Sequence, residues 1–477
     1  MPILFLPALR ANMPPSRRYC VYGDNMPTNP HRDLESIVDI NRLSRFQIAI
    51  IALCGLIALL DGFDTQAIAF VAPSIAAAWN LAPSAFGPVF GAGLLGGLIG
   101  AITLGMASDR LGRKPTLVAA VLLFAAGSLT TLLAHSLWQL GVLRFVTGLG
   151  LGGALPSFIA LSSEYAPKRL RTALVGMMFC GFPVGAVIGG FASAHLIPVF
   201  GWASVFLAGG VLPLLILPIF IAVVPESMRF LALRRNKAAI ESVLARMQCA
   251  DAWNGDMSTH NAEEKAPVSQ LFVEGRFLGT VLLWATLFLS LLLTYFLVNW
   301  IPLVVSRSGL PIRSAVLAVT MLNLGAVIGC LLIGRLSSRY SATTLVGSSY
   351  VLGAVAIALL SQAGSSVWLL YAITFAAGAF SIGAQMSTVA MCANFYESFL
   401  RSTGVGWAMG VGRVGAIAGP VLGGMLLASG TAVPLLFIVV GLTSLGSGVA
   451  VFVLGRFVMA PRRESVSLAL GAEQALH

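Results

Sequence analysis

Asp61 and Asp64 stand three residues apart in the run Leu60-Asp61-Gly62-Phe63-Asp64-Thr65-Gln66, inside an otherwise apolar stretch. That spacing puts both carboxyls on one face of a helix. A charged side chain at the centre of a bilayer costs ~2.5–3.5 kcal/mol on insertion scales, so two within one turn need a reason. Low dielectric favours the uncharged acid, and a like charge alongside favours it further. The pair is therefore a candidate proton acceptor and donor. The alternative is a structural pair held by backbone or by a cation, and the two residues need not do the same job.

Two arginines also lie inside apolar runs. Arg144 precedes the glycine series Gly148, Gly150, Gly152 and Gly153. This series is superficially like a dinucleotide loop, but no strand precedes it, so close helix packing is expected. A buried guanidinium suits a carboxylate, whether that of Asp61, of Asp64 or of a substrate. Arg413 follows Gly406 and Gly410 on one helix face. From 277 to 456 the only acid is Glu397, at a span end. Arg413 thus has no obvious carboxylate in its own half, and an unmatched cation suits an anionic ligand. An ion pair with Asp61 or Asp64 across the halves is the alternative. Tyr295, Asn299, Trp300, Asn323 and Gln385 are the polar or aromatic companions, with Tyr295 and Asn299 ranked first.

The stretch Gly105-Met-Ala-Ser-Asp109-Arg110-Leu-Gly112-Arg113-Lys114 is the most specific pattern. It reads as a loop in which Gly105 permits close helix approach, Asp109 caps a neighbouring helix and the arginines pair with acids. A degenerate copy, Gly334-Arg335-Leu-Ser-Ser-Arg339, recurs in the second half. Gly181, Pro183, Gly185, Gly189 and Gly190 read as packing glycines around a proline bend.

These residues need lipid-depth helices to hold them. The chain has 477 residues, 57% hydrophobic and only 10% charged, against roughly a quarter charged in soluble proteins. Its apolar runs have the ~20-residue length that crosses a bilayer as a helix. Spans are expected at 46–72, 86–107, 115–134, 137–160, 170–193, 202–223, 277–302, 313–336, 341–362, 366–389, 401–427 and 433–456. The fold class is an all-α membrane protein, twelve transmembrane helices in two pseudo-symmetric six-helix bundles. The expected division is a cytosolic tail without fixed structure (1–45), a first bundle (46–225), a cytoplasmic central loop (226–276), a second bundle (277–456) and a cytosolic tail (457–477). The polar segment from Asp251 to Lys265 has a disordered composition. Two related halves around a central site is the plan of a secondary transporter.

The net charge of +11 comes from Lys and Arg at alternate span ends, which reads as a topology signal rather than nucleic-acid binding. It places both termini and the central loop in the cytoplasm. Cys20, Cys54, Cys180, Cys249, Cys330 and Cys392 are scattered and imply neither a disulfide framework nor a metal site. No cofactor loop or nucleophile motif indicates an enzyme. Met1 to Leu9 is short and has no basic region before it, so no signal peptide is expected; Met26 is an alternative start.

The pattern at Gly105–Lys114 resembles the signature of the major facilitator superfamily. Together with Asp61-Gly62-Phe63-Asp64, Gly153-Ala154-Leu155-Pro156, Ser163-Glu164, Phe179-Cys180-Gly181, Pro225-Glu226-Ser227 and the run from Gly404 to Pro420, it resembles the aromatic acid:proton symporters of bacteria. The likeness spans about residues 45–456. It implies import of a benzoate- or hydroxybenzoate-class acid with protons across the inner membrane by a monomer. It implies importance for Asp61, Asp64, Asp109, Arg113, Arg144 and Arg413, and gating at Gly105, Asp109, Arg110, Arg113 and Glu164. On that reading Arg144 or Arg413 holds the carboxylate while Phe63, Tyr295 and Trp300 pack the ring. A proton-coupled exporter of drugs or metabolites shares most of these features and is the rival.

Overall fold

The computed structural model describes residues 37–38, 43–247, 249, 253, 267–273, 275–362 and 366–459. Most of the expected N-terminal tail, the Asp251–Lys265 segment except Trp253, and residues 460–477 lie outside the described residues. Among those described, twelve helices are long and apolar enough to cross a membrane. They are α1 (Arg45–Ala78), α2 (Pro83–Leu111), α3 (Arg113–Leu133), α4 (Leu137–Tyr165), α5 (Lys168–Phe200) and α6 (Ala203–Val223) in the first half. The second half has α7 (Phe277–Arg307), α8 (Ile312–Leu336), α9 (Ala342–Gln362), α10 (Val367–Phe395), α11 (Phe399–Ala428) and α12 (Val433–Val458).

Local chemistry explains the ends. Ser44 and Gln47 form a capping box at the start of α1, satisfying donors that the first turn leaves open. Ser136 and Ser366 cap α4 and α10. Pro73 lies within α1 without ending it, so α1 runs past the expected residue 72, as neighbouring helices permit. The Asp109–Arg110 stretch was expected as loop. It is helix through Leu111, and the chain turns only at Gly112, where φ is +105°. A side chain is disfavoured at that φ, and one here would also meet the Glu226 carboxylate and Phe230. In α5 the helix pauses at Cys180 between Lys168–Phe179 and Gly181–Phe200.

The central loop is not featureless. Helices Met228–Leu233 and Lys237–Arg246 turn Met228, Leu231, Ile240, Val243 and Leu244 into the same core as Ile37, Ile50, Phe124 and Phe158. Arg246 donates to the Val223 carbonyl at 3.1 Å and stacks 4.1 Å over Phe46, tying the second helix to α6 and α1.

Glycines set the closest crossings. Gly93, Gly96, Gly97 and Gly100 of α2 face Phe145, Gly148, Leu149 and Gly152 of α4 so closely that a Cβ on Gly152 would collide with the Gly97 backbone. The Gly148–Gly153 series is thus a packing surface. Gly181 and Gly185 of α5 play that part against α1 at Gly55 and Leu59.

Three apolar cores define the architecture. One, containing Phe70, Phe86, Phe90, Phe206, Trp300, Val316 and Leu322, is built from both halves. The other two, around Phe124 and Phe158 and around Tyr350 and Phe395, each belong to a single half. The halves therefore close on each other at the end carrying Ala78 and Pro83. They stand apart at the end carrying Arg110 and Arg335, where Gly406 and Gly410 of α11 face open space.

Candidate functional site

The closed end is sealed by contacts between the halves. Gln66 Nε2 of α1 donates to Asn323 Oδ1 of α8 at 3.0 Å, and Asn323 Nδ2 returns a bond to Gln66 Oε1 at 2.7 Å. Trp300 of α7 is fully buried, donates from Nε1 to the Pro420 carbonyl at 3.2 Å and meets Phe90 of α2 edge-on, with ring centroids 5.6 Å apart. Trp300, expected to pack a substrate ring, is instead part of the seal. Phe63 is likewise withdrawn, buried against Gly189 of α5.

Below this seal the two aspartates part company. Asp64 is buried between α1, α3, α4 and α6. Its Oδ1 accepts from Ser128 of α3, and its Oδ2 lies 3.6 Å from Arg144 Nη1. Arg144, only 3% exposed, also donates from Nη2 to Thr131 Oγ1 at 2.6 Å and to the Gly127 carbonyl at 3.4 Å, and lies 4.5 Å from the centroid of the Phe206 ring. This guanidinium is enclosed within the first half. The place expected for it against a substrate is taken by Asp64, Thr131 and Phe206. α6 presents Gly209 where a Cβ would lie 2.7 Å from Asp64 Oδ1.

Asp61 accepts from Thr65 Oγ1 at 3.1 Å and makes no ion pair among the described residues. Arg413 of α11 is near enough to interact electrostatically with both Asp61 and Tyr295. It lies over α2, with Nη1 3.9 Å from the position a Cβ on Gly97 would take. It is half-buried and has no hydrogen bond or ion pair among the described residues. The direct ion pair between the halves is therefore not formed. Tyr295 is half-buried on α7, within electrostatic reach of Arg413. Asn299, ranked with it, is buried and turns its amide back to the Tyr295 carbonyl at 2.7 Å. Gln385 is buried on α10, with no hydrogen bond to Arg413 among the described residues.

At the open end, Arg113 pairs with Glu164, and Glu164 accepts from Ser227 Oγ at 2.6 Å. Asp109 was expected to cap a neighbouring helix. The cap on α3 comes instead from Glu226, whose Oε1 accepts from the amides of Arg113 at 2.8 Å and Lys114 at 3.1 Å. Asp109 is exposed and enters no ion pair among the described residues. It lies at the end where the halves are apart. Arg110 is exposed, its carbonyl accepting from Arg234 at 3.2 Å, and Gly105 packs near Pro156 of α4. The second half carries a looser counterpart: Arg276 pairs with Glu397 at 3.2 Å, and Tyr396 donates to Thr280 at 3.2 Å.

Sequence reasoning missed Ser128, Thr131, Phe206, Gly209 and the partnership of Gln66. Hydroxyls in an apolar helix are common and usually bond their own backbone, so nothing singled these out.

Comparison with known proteins places this geometry in a family. The chain is 39% identical over 432 residues to the gallate transporter of Pseudomonas putida, covering 90% of this chain and 96% of that one. It is 38% identical over 403 residues to the 4-hydroxybenzoate transporter PcaK of the same organism, covering 83% and 90%. Among solved structures, the xylose transporter XylE from E. coli, in a partially occluded inward open conformation, superposes with a TM-score of 0.64 at 18% identity over 87% of this chain and 98% of that one. Residues 54–396 and 317–474 match the Major Facilitator Superfamily, to which this chain, a multi-pass membrane transporter, belongs.

Proposed function

We propose that this protein imports an aromatic carboxylic acid of the benzoate and hydroxybenzoate class together with protons, by alternating access. The observation that carries the reading is Arg413: a partly exposed guanidinium at mid-helix, without an ion pair among the described residues, between two halves that are apart on one side. Asp61 and Tyr295 stand beside it. An aromatic acid is a flat apolar ring with one charged end. Arg413 can take the carboxylate through paired hydrogen bonds, and Tyr295 offers a ring to pack against it. The relatives named as gallate and 4-hydroxybenzoate transporters support this substrate class over an exported drug.

Proton and anion then help each other. A proton on Asp61 removes the negative charge that competes for Arg413, so each ligand raises the affinity for the other, a coupling between two sites. Asp64, held by Arg144 within the first half, is the second proton-coupling group. The halves rock about the loaded site. The seal of Gln66, Asn323 and Trp300 opens in one phase. In the other, the open end closes over Gly105, Asp109, Arg110, Arg113 and Glu164. The Lys and Arg residues at alternate span ends support a cytoplasmic position for that open end and for both termini, and the proposed path runs within a single chain acting as a monomer.

The test is uptake of a panel of radiolabelled aromatic acids, with and without a protonophore. Accumulation that collapses with the protonophore is expected; accumulation indifferent to it removes the symport reading.

A further inference from the structure

The Asp64–Arg144 pair is built open rather than closed. A buried arginine and carboxylate ordinarily meet through two parallel hydrogen bonds. Here one nitrogen approaches one oxygen, at 3.6 Å. Among the described residues, Asp64 Oδ2 and Arg144 Nε have no hydrogen-bond partner although both are buried, and such orphans are costly. Something holds the guanidinium away, and the contacts identify it. Thr131, in the 3-10 turn that ends α3, gives its own hydroxyl hydrogen to the Gly127 carbonyl at 2.7 Å. Its oxygen is then available as an acceptor, and Arg144 Nη2 donates to it at 2.6 Å. The Phe206 ring lies on the same guanidinium. On the other side Ser128, three residues earlier on α3, donates to Asp64 Oδ1.

We infer that Thr131 and Ser128 are positioning residues for proton coupling: Thr131 draws Arg144 off the carboxylate and leaves Asp64 Oδ2 free to take a proton, while Ser128 steadies the charged form through the other oxygen. The inference rests on Asp64 being a proton-coupling group, as proposed above. Among the described residues, the other charged or titratable groups around Asp64 are few. α4 contributes Arg144 and α1 itself contributes Asp61, while Arg413 of α11 and Tyr295 of α7 stand beside Asp61. α3 offers Gly127, Ser128 and Thr131, α6 offers Phe206 and Gly209, and α5 packs through glycines; none of these titrates. The balance at Asp64 therefore lies with Arg144 and the two hydroxyls.

The two hydroxyls act in opposite senses, which makes the assignment testable. In Thr131→Val the shape is kept and the acceptor is lost. Arg144 Nη2 then keeps only its longer bond to the Gly127 carbonyl, the guanidinium is released to close on the unpartnered Asp64 Oδ2, and the closer cation favours the carboxylate's charged form. The pH of half-maximal uptake should fall, so that about tenfold more protons are needed, and Thr131→Ser should restore it. In Ser128→Ala the charged form loses a donor, and the same midpoint should rise. Substrate KM measured at saturating acidity should stay within about twofold in each case, whereas a merely structural defect would lower uptake without moving the midpoint.

The experiment is the pH profile of radiolabelled aromatic-acid uptake in proteoliposomes for the unmodified chain and these three variants. Opposite shifts with rescue by Thr131→Ser support the assignment. An unmoved midpoint in Thr131→Val, a shift of equal size in Thr131→Ser, or shifts of the same sign in Thr131→Val and Ser128→Ala overturn it. If Thr131→Val fails to reach the membrane, the direction of the Ser128→Ala shift decides. A flat profile in the unmodified chain instead strikes the symport reading itself, and the two failures are thereby distinguished.

Discussion

Gln66 and Asn323, from opposite halves of the molecule, exchange two carboxamide hydrogen bonds of 3.0 and 2.7 Å within the sealed end. Both are buried, and Asn323 also donates to the Val319 carbonyl of its own helix at 3.0 Å. Alternating access requires this pair to part once in every cycle.

Removing Asn323 leaves the Gln66 amide buried without these bonds, and removing Gln66 leaves Asn323 with only its bond to the Val319 carbonyl; an unsatisfied buried polar group costs about 1–3 kcal/mol. Gln66→Leu and Asn323→Leu should each lower the unfolding temperature in detergent, and the double variant should lower it less than the two singles combined. Strict additivity in that double-mutant cycle would deny the coupling.

Arg413 should behave as the substrate's anchor. Hydrogen bonds to a charged group contribute about 1.5–3 kcal/mol, so Arg413→Ala is expected to raise KM for the acid by about 10- to 100-fold. Arg413→Lys, which keeps the charge but not the planar fork, should fall between. Uptake kinetics with an unchanged KM in Arg413→Ala would refute the anchor.

The aspartates should separate by assay. Asp64→Asn is expected to abolish proton-driven accumulation. Because it also leaves Arg144 buried without its acid, a cost of about 3–5 kcal/mol, counterflow must be measured alongside to show a folded carrier. Asp61→Asn should make substrate affinity insensitive to pH, since the charge that competes for Arg413 is gone. Undiminished accumulation in Asp64→Asn contradicts its role.

Two glycines offer a steric contrast. A Cβ at Gly209 would stand 2.7 Å from Asp64 Oδ1, whereas one at Gly406 would meet nothing within 4 Å. Gly209→Ala should displace the carboxylate and remove concentrative uptake. Gly406→Ala, at an exposed position inside a helix, should hold or raise the unfolding temperature, because alanine is the better helix former. Equal behaviour of the two would mean the Asp64 pocket is not tight.

Glu226 bonds the amides of Arg113 and Lys114 and that of Ser227 at 2.8 Å. Glu226→Ala therefore loses a helix cap worth about 0.5–2 kcal/mol and a favourable charge at the helix start. A lower unfolding temperature, partly recovered in Glu226→Gln, is the expected result of thermal denaturation.

The amino-acid sequence alone determined the membrane class, the twelve spans, the family and the presence of four ionisable side chains at lipid depth. Each is a local property: apolar runs must be helical in lipid, and a single charge in such a run is conspicuous wherever it points. Pairing is different, because it depends on how each helix is rotated and how closely it crosses its neighbours. Glycines at Gly62, Gly97, Gly152 and Gly185 set those crossings through backbone contact. Only the tertiary structure decided that Asp64 takes Arg144 while Arg413 has no ion pair among the described residues, that Trp300 lies buried in the seal, and that Glu226 rather than Asp109 caps α3. The hydroxyls of Ser128 and Thr131 gained meaning in the same way. A helical hydroxyl ordinarily serves its own backbone, and only the approach of α1 and α4 brings a carboxylate and a guanidinium within its reach.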